Sequence, residues 1–65
     1  MKYVIKNLTK RKCYIGDDYP DDYMPIPEFG KEKKAVEFTN LEEARKHRNA
    51  LVKILNDNLE IISRE

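Results

Sequence analysis

The sequence predicts an α+β domain: an antiparallel three- to four-stranded sheet with one helix packed on one face, in the order β-β-loop-β-α-β. Three observations carry this expectation. Period-two runs open the chain, recur around residue 36 and return near residue 60. One 3.6-residue apolar stripe spans residues 40 to 55, and every proline and glycine falls between residues 16 and 34.

Met1, Tyr3 and Ile5 alternate with Lys2, Val4 and Lys6, which predicts a first strand over residues 2 to 7. Asn7-Leu8-Thr9-Lys10 supplies turn residues. Lys12-Cys13-Tyr14-Ile15 resumes the alternation up to Gly16, so the first two strands are expected to form an antiparallel hairpin. Residues 16–34 hold no sustained period and contain Pro20, Pro25, Pro27, Gly16 and Gly30. They are expected to form a long acidic loop, its second half pinned to the body by Met24, Ile26 and Phe29. Lys34 to Thr39 is the expected third strand, with Val36 and Phe38 facing the core.

Thr39 or Asn40 caps the helix that follows, and Glu42 and Glu43 lie in its electropositive first turn. Leu41, Ala44, Arg48, Leu51, Val52 and Leu55 share one stripe. Arg48 is expected to lay its stem on apolar neighbours and extend its head to water. Asn56-Asp57-Asn58 ends the helix; the segment at residues 59–63 fits either a fourth strand or a continuation of the helix. The expected core is Tyr3, Ile5, Cys13, Ile15, Val36, Phe38, Leu41, Ala44, Leu51, Val52, Leu55, Leu59 and Ile61.

Sixty-five residues make one domain, residues 1–65, near the lower limit for unassisted folding. A chain of this size buries only about 60% of the surface it exposes when unfolded. A deep pocket is not expected, and self-association, as a homodimer, is one route to added stability. The single Cys13 excludes an internal disulfide and any multi-cysteine metal site. No apolar run matches a signal-peptide core or a bilayer-spanning helix, so a cytoplasmic location with no membrane partner is expected.

The net charge of +1 hides a segmented layout. Residues 1–16 carry five bases and no acid, whereas residues 17–30 carry five acids and no base. Lys31-Glu32-Lys33-Lys34 turns positive again. The acidic block repeats the triplet Asp-Asp-Tyr around Pro20, giving Asp17, Asp18, Tyr19, Asp21, Asp22 and Tyr23. Tyrosine offers contact area with few torsions to freeze, and aspartates steer a partner of opposite charge. These six residues are the candidate contact with a protein partner that has a basic surface, one reading being imitation of nucleic acid.

The alternative is a small DNA-binding protein. It would use Lys2, Lys6, Lys10, Arg11 and Lys12 of the N-terminal hairpin and Lys31, Lys33 and Lys34, with Tyr3 and Tyr14 interleaved. No catalytic constellation is read. Cys13 falls mid-strand and His47 on the flank of the helix stripe, contexts of a packed thiol and a boundary histidine. The acids lack the spacing of a calcium loop, and no metal or cofactor is expected.

The segment from Lys31 through Phe38-Thr39 to Leu41-Glu42-Glu43-Ala44 resembles the third strand and helix start of the three-stranded arm-binding domains of phage-type integrases. The whole pattern is similar in style and size to small accessory proteins of bacteriophages and prophages. It is short and lysine-rich, and runs from an opening strand through a Phe-Thr-Asn-Leu-Glu-Glu-Ala helix to a closing Leu-Glu-Ile-Ile strand. That resemblance implies a non-enzymatic protein that binds and redirects or inhibits a host component, and it assigns no functional residue.

Overall fold

A computed structural model describes residues 1–18 and 26–64. Strands β1 (Lys2–Asn7), β2 (Lys12–Asp18) and β3 (Ile26–Gly30) are followed by a 3-10 turn (Glu32–Lys34). Helix α1 (Leu41–Leu55) and strand β4 (Leu59–Arg64) complete the chain. The strands form one antiparallel sheet in the order β3-β2-β1-β4, and α1 packs over β1 and β4. Residues 59–64 are therefore strand rather than helix. Every residue of β1 is paired with β4, from Lys2 opposite Arg64 to Asn7 opposite Leu59.

The long loop expected over residues 16–34 is shorter than the sequence suggests, because β2 extends to Asp18 and Ile26–Gly30 forms β3. Pro27 hides this strand from a reading of composition. Proline is tolerated on an edge strand, where a missing N–H breaks no central ladder, and β3 is an edge. A bulge between Tyr14 and Gly16 shifts the β2–β3 register, and Gly16 takes a φ of 125° that other residues rarely adopt.

The strand expected at Lys34–Thr39 is not a member of the sheet order. β1 and β2 pair only near their turn, at Lys6–Cys13 and Asn7–Lys12, and part beyond it. The segment at residues 36–38 fills the gap. Val36 N–H donates to the Tyr14 carbonyl at 3.0 Å, and Tyr3 and Phe38 exchange both backbone hydrogen bonds at 2.8 Å. The alternation of Val36 and Phe38 thus reports a real extended segment, wedged between two strands instead of extending an edge.

The hairpin turn is tied to the far end of the helix. Asn7 is fully buried; its Oδ1 accepts from Lys10 N–H at 2.9 Å and its Nδ2 donates to Asp57 Oδ2 at 2.9 Å. Leu8 N–H donates to the Asn58 carbonyl, and Asn58 N–H to Thr9 Oγ1. At the helix start Asn40 is the cap, accepting from Glu42 N–H at 2.8 Å and Glu43 N–H at 3.4 Å. Such a cap contributes about 1 kcal/mol. Asn56, left-handed at φ 57°, closes the helix with its N–H on the Val52 carbonyl.

Ile5, Tyr14, Leu51 and Leu59 form the core beneath α1, with Phe29, Val36 and Phe38 packed against them. Val4 and Tyr14 are buried although the expected core omits them, and Val52, which it includes, is 36% exposed. Val4 points away from Ile5 by strand alternation, yet both are fully buried. The second face is covered as well: the chain after β3 lies there, and Arg64 Nη1 donates to the Glu32 carbonyl at 3.2 Å. Arg48 is half-buried, and its Nε is enclosed without a hydrogen-bond partner among the described residues. Its covering goes beyond the stem that simple snorkelling would bury.

Candidate nucleic-acid interface

At the hairpin end of the sheet, Lys6, Arg11, Lys12 and Lys31 line one concavity of about 500 Å³, together with Cys13, Gly30 and Glu32. Residues from three separate stretches meet there because β2 carries β1 on one side and β3 on the other. Cys13 stands opposite Lys6 in β1 and opposite Gly30 in β3. Lys31 follows Gly30 directly, so the strand pairing itself brings it to the hairpin cations. Four bases against one acid make the rim strongly positive, and a concave surface concentrates such a field.

Arg11 gives this site a conformational signature. Its φ of 57° lies in the left-handed region, where glycine or asparagine is favoured and a long side chain is strained. Here an arginine occupies the position, with its side chain exposed at the concavity.

Of the eight bases singled out by the sequence, the fold gathers these four and disperses the others. Lys2 lies at the opposite end of β1, 3.5 Å from Glu37. Lys10 places its Nζ over the Phe29 ring at 5.7 Å from the centroid, a cation–π arrangement that turns it from the concavity. Lys33 and Lys34 are exposed on the 3-10 turn beside Glu32. Composition could not separate the two groups, since the pairing that selects Lys31 depends on the proline-bearing β3.

Cys13, 3% exposed, contributes to the floor of the concavity. Burial pushes its thiol up from the ordinary value, Glu32 adds to the rise, and Lys6 and Arg64 partly oppose it. A shift in this direction favours the protonated thiol over the nucleophilic thiolate. His47 packs 4.9 Å from the Phe38 ring and 6.5 Å from the Tyr14 ring, on the helix side of the sheet. Strand alternation puts Cys13 on the other side, so the two never meet. Among the described residues no group of three or more His, Cys, Asp or Glu side chains could hold a metal. None of the described helices is long and apolar enough to cross a membrane.

The acidic pole begins at the other end of β2. Asp17 and Asp18 are exposed, and Tyr14 Oη donates to Asp17 Oδ1 at 2.6 Å. Tyr19, Asp21, Asp22 and Tyr23 lie outside the described residues. From Lys12 to Asp17 the strand advances about 17 Å at 3.3 Å per residue, beyond the ~10 Å Debye length at 0.1 M salt. Lys12 and Asp17 are therefore separated along β2 by more than the screening distance.

No known protein family, curated protein or solved structure matches this chain.

Proposed function

We propose that the chain is a non-enzymatic binding protein whose hairpin end receives the phosphate backbone of duplex DNA. The observation that supports this reading is the convergence of Lys6, Arg11, Lys12 and Lys31 on one concavity, remote along β2 from Asp17 and Asp18. Each phosphate contact releases about 0.9 counterion, so four contacts weaken binding about 150-fold between roughly 50 and 200 mM salt. Fluorescence anisotropy of a labelled duplex tests the reading. Binding at low salt with that steep decline is the expected result, and a flat baseline at low salt refutes it.

A second reading is favoured by the placement of Asp17 and Asp18. They are presented at the end of a paired strand, and the Tyr14 hydroxyl fixes the first of them. On this reading the segment from Asp17 to Tyr23 contacts a basic protein, by nucleic-acid mimicry, in an accessory or inhibitor protein of the phage type.

A further inference from the structure

We propose that β4 pairs with β4 of a second copy of this chain, joining two four-stranded sheets into one of eight strands. The sheet has two edges, and they differ. On β3 the proline at position 27 removes a backbone donor, whereas β4 carries no proline over Leu59–Arg64.

The backbone phase of β4 follows from the hydrogen bonds of β1. Tyr3 directs its N–H and carbonyl to Phe38, so Lys2, Val4 and Lys6 direct theirs the other way, to Arg64, Ile62 and Glu60. The outward groups of β4 are then those of Leu59, Ile61 and Ser63. An antiparallel copy must bond through these residues, which restricts the allowed registers.

A twofold axis at Ile62 satisfies this phase. Ile61 and Ser63 of each copy bond to Ser63 and Ile61 of the other, and Ile62 faces its own counterpart. On the same face Glu60 stands opposite Arg64 of the second copy, twice over; by exchanging its hydrogen bond to the Glu32 carbonyl for Glu60 of the other copy, each Arg64 would complete a cross-strand ion pair. Moving the axis to Ile61 places Glu60 opposite Ile62 and loses both pairs. The charges of the edge thus select one self-complementary register.

The helices agree with it. The His47 flank of α1 faces Tyr14 and Phe38, which turns the opposite flank, with partly exposed Val52, toward the β4 edge. α1 lies over β4 and β1, and the midline of those strands is about 4.8 Å from the axis. The two helix axes are then roughly 10 Å apart on one face, a normal packing distance. Both basic concavities fall on the other face, about 24 Å apart across the strands. The pairing itself does not depend on what those concavities bind.

Sedimentation velocity at about 100 µM chain tests the interface, with circular dichroism to confirm that each variant is folded. The unmodified chain is expected to sediment as a dimer. Ser63→Pro removes an outward N–H that the single chain does not use, and Glu60→Lys and Arg64→Glu each set like charges opposite one another; each variant alone is expected to weaken dimerisation at least tenfold. Mixing Glu60→Lys with Arg64→Glu restores opposite charges at both pairs and is expected to restore the dimer mass. A monomeric unmodified chain, or a dimer indifferent to a folded Ser63→Pro variant, overturns the proposal.

Discussion

Replacing Arg11 by glycine separates stability from binding. Arg11 sits at φ 57° and lines the basic concavity, so one residue carries both backbone strain and charge. Releasing a non-glycine residue from the left-handed region contributes about 1–2 kcal/mol, and the added freedom of glycine in the unfolded chain returns about 0.4–1 kcal/mol. The net gain is about 0.5–1 kcal/mol, which raises Tm by roughly 2–8 °C in a domain of this size. Binding moves the other way: loss of one phosphate contact at about 0.1 M salt weakens duplex affinity roughly eightfold. Thermal melting followed by circular dichroism reads the first effect, and anisotropy on the same sample reads the second. A lower Tm would show that Arg11 makes contacts that outweigh its strain. Unchanged affinity would remove it from the interface.

Asn7→Ala breaks one neutral and one charge-assisted hydrogen bond of a fully buried side chain, leaving Lys10 N–H and Asp57 without that partner. The expected loss is about 2–4 kcal/mol by urea denaturation, and a loss below about 1 kcal/mol would show that the turn does not depend on this network. If the acidic pole recognises a basic protein, replacing Asp17, Asp18, Asp21 and Asp22 by asparagine weakens that complex and flattens its salt dependence. Unchanged affinity in a titration against such a partner discards the second reading.

The fold class was legible because its signals are local. The alternation of β1, the stripe of α1 and the Asn40 cap each depend on neighbours within a few residues, and each element formed where its pattern lies. β3 was not legible, since Pro27 is tolerated only by virtue of the strand's edge position, a property of the assembled sheet. The wedge at residues 36–38 had a strand's pattern without a strand's partners, because its hydrogen bonds go to β1 on one side and β2 on the other. Val4 shows the same limit in the core. Alternation assigns it to the outer face, yet it is fully buried there, on the face where Arg64 meets the chain that follows β3. At the candidate site the sequence supplied all four cations but also four others, and strand register did the sorting.

The salt dependence of duplex binding counts the phosphates that the hairpin end receives. Four phosphate contacts predict a slope of log affinity against log salt near −3.6, and a chain carrying both Lys12→Gln and Lys31→Gln is expected to fall to about −1.8. Because both side chains are exposed, circular dichroism should show the variant folded like the parent. Equal slopes for the two chains would show that Lys12 and Lys31 make no phosphate contact and that the concavity is not where DNA binds.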